Sequence, residues 1–510
     1  MAEIVLSTLN AKYIHAAFGL RYLLANLGEL QSRAVIAEFD IQRRPLDIAE
    51  RLLELNPKII GLGVYIWNVA EITALVGLLK KIRPEIVIVL GGPEVSYEQE
   101  EMAVVQLADY VISGEGDLLF AEVCGKILRD DKPTTKILAA PLPDLTLIKL
   151  PYTFYTEADL DHRIVYVEAS RGCPFACEFC LSSLDIAVRQ FPLDAFLAAM
   201  QGLLDRGLKH FKFVDRTFNL EIKTGKKILE FCLERYQPGI FFHFELVPDR
   251  LPTELREVIA KFPSGAIQFE VGVQTFNAVA AANIQRRQNY DRLAENFSWL
   301  RENSRVHLHA DLIAGLPGED LESFAAGFDR LLALRPQEIQ VGILKRLRGT
   351  PIGRHSGEWQ MVYNPNPPYD ILQNKLIPFA AMQGIRRFTR FWDMVSNSGN
   401  FRHCAPLLWE GEPSAFAAFM AFANWLFARV GRTDGIALPR LTELLFEFLT
   451  QLRRLPAEQV AAQLLRDYQA PGRRDTPSFL QPYLPGGGTG KSRADATRNP
   501  MRRQARHWGG

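Results

Sequence analysis

Cys173, Cys177 and Cys180 stand in the run Arg171-Gly172-Cys173-Pro174-Phe175-Ala176-Cys177-Glu178-Phe179-Cys180, three thiols spaced C-x3-C-x2-C in one tight loop. Thiolates hold iron–sulfur clusters, and a cubic [4Fe–4S] cluster ordinarily takes four of them. Three cysteines with no fourth nearby leave one iron open, and an open iron is a place for chemistry. The competing readings are weaker. A structural zinc wants four N or S ligands in spaced pairs, whereas His162 stands alone and the pair His403-Cys404 lies far downstream. A disulfide framework does not fit six cysteines in 510 residues, nor a start at Met1-Ala2-Glu3 that runs straight into a strand-like segment without the pattern of an export signal. Cys124 and Cys232 fall inside helix-like apolar stretches and read as core residues.

The elements that must position this loop form an αβ rhythm beginning near Ile164. Strand-like runs at 164–169, 211–214, 241–245, 266–273, 306–313 and 338–344 alternate with helix-like stretches at 193–204, 222–234, 253–262, 290–302 and 321–334. Six β/α units predict an incomplete barrel, open on one side. Barrel enzymes gather their active groups on the loops after the strands, and the cysteine loop follows the first strand. His307 and His309 alternate on the fifth strand and so share a face. A proton-transfer role and a packed, hydrogen-bonded pair are both open, the second preferred.

Ahead of the barrel, residues 3–130 alternate β-branched runs (3–9, 33–39, 58–64, 85–90 and 110–113) with amphipathic helices near 18–27, 47–55 and 70–82. That pattern predicts a Rossmann-like, doubly wound parallel sheet, whose ligands bind at the carboxyl ends of the strands. The candidate strand-end residues are Asn10 and Tyr13 after the first strand, and Tyr65 and Trp67 after the third. Gly91, Gly92, Pro93 and Glu94 follow the fourth strand, and Gly114, Glu115 and Gly116 the fifth. Glycines there let a ligand approach the backbone closely. Gly61-Leu62-Gly63 and Gly114-Glu115-Gly116 lack the third glycine of a dinucleotide fingerprint. Tyr65 and Trp67 fit a core or capping role equally well.

The cysteine loop resembles that of the radical S-adenosylmethionine (radical SAM) enzymes, whose open iron is chelated by the amino and carboxylate groups of S-adenosylmethionine. G-G-P-E-x-S after one strand and G-E-G-D after the next, upstream of such a loop, resemble the cobalamin-binding domain of class B radical SAM enzymes. The resemblance runs in order over roughly the first 350 residues. It implies three cofactors: a [4Fe–4S] cluster on Cys173, Cys177 and Cys180, S-adenosylmethionine, and cobalamin at the sheet-edge residues named above. It also implies that Phe179 contacts adenine through its backbone. Asp215 stands where relatives often carry Gly-Gly-Glu to grip the amino group, and an acidic side chain keeps that role. Glu270 and Gln274 resemble the E-x-G-x-Q segment and are candidates for the ribose, with a packed barrel layer as the alternative. Asp311, Gly315 and Leu316 belong to a run ending in G-L-P-G-E, whose backbone approaches adenine in relatives. One departure is plain: no D-x-H-x-x-G supplies an axial histidine, so bound cobalamin is expected without one. His15 is the sheet domain's only histidine and lacks that context.

The implied reaction is reductive cleavage of S-adenosylmethionine to a 5′-deoxyadenosyl radical, followed by methylation of an unactivated carbon of a small-molecule substrate. The alternatives are cyclisation, rearrangement or oxidation without methyl transfer and, outside enzymes, an iron–sulfur electron-transfer or sensing protein with four-cysteine ligation. The expected partner is a reductant such as flavodoxin or ferredoxin. A net charge of +1 does not imply nucleic-acid binding. The absence of an apolar run of about 20 residues excludes a membrane helix. Free thiols and an oxygen-sensitive cluster point to the cytoplasm.

The expected division is a cobalamin-binding domain at 1–135, a linker at 136–160, the barrel at 161–350, a helical C-terminal domain at 351–469 and a disordered basic tail at 470–510. The run Trp392 to Phe401 resembles a segment of a radical SAM subgroup with an uncharacterised helical C-terminal domain, expected to close the open barrel and form part of the substrate pocket. Its aromatic stretches at 416–426 and 441–452 read as bundle core.

Overall fold

The computed structural model describes residues 2–184, 187–470, 473, 476–483 and 503–508. The chain divides into two compact units, Met1–Glu245 with Lys345–Arg354 and Tyr363–Asp370, and Leu246–Leu344 with His355–Val362 and Ile371–Gly510.

The first unit opens with six parallel strands: β1 (Ile4–Asn10), β2 (Ala34–Asp40), β3 (Ile59–Gly63), β4 (Val87–Gly91), β5 (Tyr110–Ser113) and β6 (Ile137–Ala139), in sheet order β2-β1-β3-β4-β5-β6. All seven residues of β1 are buried, as a central strand covered on both faces requires. Ile4 and Leu6 pack with the helices Phe18–Ala25 and Leu119–Leu128. Val5 and Leu9 pack on the other side with Pro45–Glu54 and Val69–Ile82. This two-residue alternation is what a doubly wound sheet demands. Strand order reverses between β1 and β3, so the crevice for a ligand opens at their carboxyl ends.

The stretch expected to be a linker is structured. Residues 137–139 form β6 and pair with β5, and Glu157–His162 is a helix opened by a capping box between Thr156 and Asp159. A three-residue strand is too short to show a period, which is why the sequence hid it.

In the same unit, β7 (Val165–Val167) is followed by β8 (Ser170–Arg171), which pairs antiparallel with β9 (Arg189–Gln190) and frames the cysteine loop. β10 (His210–Phe213) pairs in parallel with β7 on one side and β11 (Phe241–Leu246) on the other. In the second unit, β12 (Ile267–Gln274), β13 (His307–Ala314) and β14 (Glu338–Ile343) pair in parallel in that order, the register of β12 on β13 shifting between Gly272 and Gln274. These are the six β/α repeats that the sequence predicts.

The second unit ends in helices. Phe379–Trp392 packs on Ala415–Val430 through Phe388, Trp392, Phe416 and Phe419, an apolar stripe at helical spacing. Asn397 carries this domain onto the edge of β14, its amide accepting from the Ile339 N–H and donating to the Ile339 carbonyl, both at 2.9 Å. Within the tail expected to be disordered, Arg503–Trp508 is a short helix whose Arg503 Nε lies 2.9 Å from buried Glu338. The expectation is corrected there: a composition that cannot build a core can still supply a counter-charge to one. Gly486–Gly488 and Arg502 lie outside the described residues. No helix of the described residues is long and apolar enough to cross a membrane.

Candidate functional site

The cysteine loop is held at both ends and in the middle. Gly172 adopts φ +92°, a conformation favouring glycine, and turns the chain out of β8. The Cys180 N–H donates to the Cys177 carbonyl at 3.0 Å. Cys177 is buried, while Cys173 and Cys180 are half-buried. Between them Glu178 is sealed, its carbonyl accepting from Ile352 N–H at 3.1 Å and its carboxylate paired with Arg354. Burial pushes the Cys173 thiol up. The Phe175 N–H and Arg216 oppose this, and the nearby Cys180 and Cys177 add to it, so the three sulfurs share one neighbourhood. Among the described residues no three His, Cys, Asp or Glu side chains converge to hold a single metal ion. Phe179 sits half-buried within the loop.

Asp215, at the end of β10, is buried and braces the loop's base. Its two oxygens each accept from the Ala169 N–H at 3.1 Å, and one accepts from the Ser170 hydroxyl at 2.6 Å. Burial pushes its carboxyl up to about 7 despite these donors. A cavity of about 180 Å³ lies beside it, lined also by Ser170, Pro174 and Thr217.

A larger cavity, about 310 Å³, opens at the carboxyl edge of the first sheet. Seven glycines line it (Gly19, Gly61, Gly63, Gly91, Gly92, Gly114 and Gly116), together with Tyr65, Glu115, Phe18 and Tyr22. A Cβ on Gly61 would stand 2.8 Å from the Phe120 ring, and one on Gly92 would stand 2.5 Å from the Val64 carbonyl. Gly61 thus makes room for the Phe120 ring and Gly92 for the Val64 carbonyl, while a Cβ on Gly91 would meet nothing closer than the Ile112 carbonyl at 3.8 Å and leaves that face open to the cavity. Of the expected cobalamin residues, Tyr65, Gly91, Gly92, Gly114, Glu115 and Gly116 line this cavity.

The remaining ones lie elsewhere and have protein partners. Asn10 donates to Glu38 at 2.7 Å, and Tyr13, 57% exposed, lies under Arg163. Trp67 stacks on Tyr65 at 4.5 Å and donates to the Leu9 carbonyl. Pro93 opens a short turn, and Glu94 is buried between Arg348 (3.1 Å) and the Tyr369 hydroxyl (2.6 Å). His15 does not line the cavity and meets the Tyr166 hydroxyl at 2.6 Å. Gly61, Gly63, Asp117 and Arg171 stand in runs that the sequence analysis quotes without naming them as cofactor residues, and Glu168 was missed altogether; all five line the cavity. Two glycines at i and i+2 on one strand were the signal, since they strip a single face.

In the second unit the remaining candidates sit along β12 and β13 and on the loop that follows. Glu270 is in register with His309, and Gly272 with Asp311. Gln274 adopts φ +70°, uncommon for a side chain of its size, and its buried Oε1 has no hydrogen-bond partner among the described residues. In the same loop region Glu319 accepts from the Thr275 hydroxyl at 2.6 Å, while its other buried oxygen has no partner among the described residues. Burial pushes Glu319 up to about 7. Gly315, at φ +93°, is closed over by Ile371, which a Cβ would meet at 2.6 Å, and Leu316 is fully buried. His307 is sealed and hydrogen-bonded to Glu338 at 2.9 Å, and His309 lies 3.3 Å from Asp311 and 3.4 Å from Glu338. The packed reading of this pair fits the geometry.

Comparison with known proteins decides the architecture. Residues 4–124 match the B12 binding domain model, and residues 167–331 match the radical SAM superfamily model. The chain joins a B12-binding domain to a radical SAM domain. Residues 357–485 match a third model, described as a protein of unknown function (DUF4080). An uncharacterized methyltransferase of Pyrococcus horikoshii is 26% identical over 249 residues, covering 44% of this chain and 52% of that protein. The chain spans about half the length of the curated relatives it matches, 52% for the first two. Among solved structures, the radical S-adenosylmethionine methyltransferase TsrM of Kitasatospora setae, with cobalamin and a [4Fe–4S] cluster bound, superposes with TM-score 0.58 at 16% identity, over 72% of this chain and 78% of that one. The cobalamin-dependent radical enzyme OxsB, with aqua-cobalamin and S-adenosylmethionine bound, gives 0.60 at 13% identity, over 91% and 78%. The two-domain fold is therefore the one those enzymes use.

Proposed function

We propose that the protein is a cobalamin-dependent radical SAM methyltransferase acting on a small molecule. One observation carries the reading: Arg171, two residues before the first cysteine, lines the same glycine-walled cavity as the sheet-edge loops. This supports reading the cluster loop and the cofactor cradle as neighbouring parts of one site. Bound there, the cluster and cobalamin would supply reductive cleavage of S-adenosylmethionine and delivery of a methyl group to an unactivated carbon.

The chain's own residues bind and orient. Cys173, Cys177 and Cys180 would hold the cluster, with Gly172, Glu178 and Asp215 fixing the loop that presents them. Tyr65 and the cavity glycines would take cobalamin. His15, the histidine of the sheet domain, does not line this cavity and is hydrogen-bonded to the Tyr166 hydroxyl at 2.6 Å. Phe179, Glu270, Gln274, Asp311, Gly315 and Leu316 stand as the S-adenosylmethionine candidates, and the lone buried oxygens of Gln274 and Glu319 are the groups there with hydrogen-bonding capacity to give. A reductant such as flavodoxin or ferredoxin, and a cytoplasmic setting, complete the reading.

The test is anaerobic reconstitution with iron, sulfide and hydroxocobalamin, then assay for 5′-deoxyadenosine under strong reductant. Nucleoside formation that is lost in Cys177→Ala is expected. Absence of the nucleoside from the cluster-loaded protein would overturn the proposal. Comparing small molecules in cells with and without the protein would then identify the methylated product.

A further inference from the structure

Arg171 is the centre of a buried ion network. Its Nε donates to Glu168 at 2.8 Å, and Nη1 donates to Glu115 at 2.8 Å and to Asp117 at 2.9 Å. Nη2 donates to the second Asp117 oxygen at 3.1 Å. The guanidinium also lies 4.7 Å from the Tyr22 ring centre. Its side chain is 13% exposed and that of Asp117 8%. Arg189, on the partner strand β9, holds Glu115 from the other side and donates to the Pro143 carbonyl. A planar guanidinium gripped by both oxygens of one carboxylate has little freedom to turn.

The two ends of this network serve different tasks. Glu115 and Asp117 belong to the loop after β5 and line the glycine cavity. Arg171 is followed at once by Gly172, whose positive φ sets the direction of Cys173. A group that enters the cavity and moves Glu115 or Asp117 must carry the guanidinium along or break several charge-assisted bonds inside the protein, and the second is costly. The movement would then reach the first cysteine through two residues of backbone.

Resting on the cofactor reading above, we propose that Arg171 is a positioning residue that couples occupancy of the sheet-edge cavity to the geometry of the cysteine loop, so that cobalamin and the cluster each favour binding of the other. Coupling of this kind is reciprocal and is commonly worth a factor of about 5–150.

The experiment uses the full chain with and without reconstituted cluster, titrated anaerobically with hydroxocobalamin and followed by absorbance. The ratio of the two dissociation constants reads the coupling. The wild-type protein is expected to bind hydroxocobalamin on the order of tenfold more tightly with the cluster in place, and to change the electron paramagnetic resonance signature of its reduced cluster when cobalamin is added. Arg171→Gln should bring the ratio to about one and silence the spectral response, Arg171→Lys should restore part of both, and Asp117→Asn should lower the ratio while keeping the shape of the loop. A wild-type ratio near unity with both groups bound, or an undiminished ratio in both Arg171→Gln and Asp117→Asn, overturns the proposal. If Arg171→Gln does not fold, Asp117→Asn alone decides it. Failure of the wild-type protein to bind hydroxocobalamin in either form would instead bring down the cofactor reading, and this inference with it.

Discussion

Glu38 receives the Arg21 guanidinium at 2.7 Å, with the two side chains only 6% and 3% exposed. The same arginine reaches Asp159 at 2.8 Å, and Glu38 also accepts from the Ala17 N–H and from Asn10. Arg163 also reaches both carboxylates, Glu38 at 3.2 Å and Asp159 at 3.5 Å, so Arg21→Ala removes one of two counter-ions and should cost less than the about 3–5 kcal/mol of a buried pair broken outright. Urea unfolding should show that loss in Arg21→Ala and a smaller one in Arg21→Lys, which keeps the charge but not the fork. Equal stability of wild type and Arg21→Ala would show that this network does not hold the first helix to β2.

Asp215 ties the end of β7 to the end of β10 through Ala169 and Ser170. Asp215→Ala would strand a buried backbone N–H, a cost of about 1–3 kcal/mol, and would loosen the base of the cysteine loop. Asp215→Asn keeps one acceptor oxygen. Iron content after reconstitution should fall in the order wild type, Asp215→Asn, Asp215→Ala. An Asp215→Ala protein with wild-type iron content and melting temperature would refute the bracing role.

His309 gives a pH dependence of definite sign. Burial opposes its charge, but Asp311 and Glu338 outweigh that and push the imidazole up to about 10. A raised folded value stabilises the protein fully below the unfolded value of about 6.5, and the gain is lost as pH climbs through about 10. His307 is shifted the other way, lowered chiefly by burial, so its contribution is already constant above neutrality. Between pH 7 and 10 the wild type should therefore lose on the order of 3 kcal/mol that His309→Gln does not lose. Parallel melting curves at pH 7 and 10 measure it, and identical slopes for the two proteins would contradict it.

How much of this was legible in the chain depends on range. The cysteine loop and the β/α rhythm are local patterns, and both could be read directly. Partnerships across long separations could not. Asn10 and Glu94 look like ligand groups at strand ends, yet Asn10 turns to Glu38, and Glu94 is closed by Arg348, 254 residues away. Arg171 is one residue of a cysteine motif until Asp117, 54 residues earlier, is seen in its fork. A polar residue at a sheet edge has ligand and protein competing for it, and sequence alone does not reveal which wins.

Gly91 and Gly92 are adjacent but constrained for different reasons, which separates cofactor binding from folding. A Cβ on Gly91 meets only the Ile112 carbonyl at 3.8 Å, and Gly91 has no positive φ, so a side chain fits the backbone and enters the cavity it lines. Gly92 has φ +107°, and its Cβ would stand 2.5 Å from the Val64 carbonyl oxygen, a clash with backbone that cannot move aside. Gly91→Val should therefore melt near the wild-type temperature while retaining at least about tenfold less hydroxocobalamin after gel filtration, the volume of a valine being comparable with a cofactor edge group. Gly92→Ala should lose stability by about 1–3 kcal/mol before any binding is measured. Undiminished hydroxocobalamin retention in Gly91→Val would mean that the glycine-lined cavity is not where the cofactor binds.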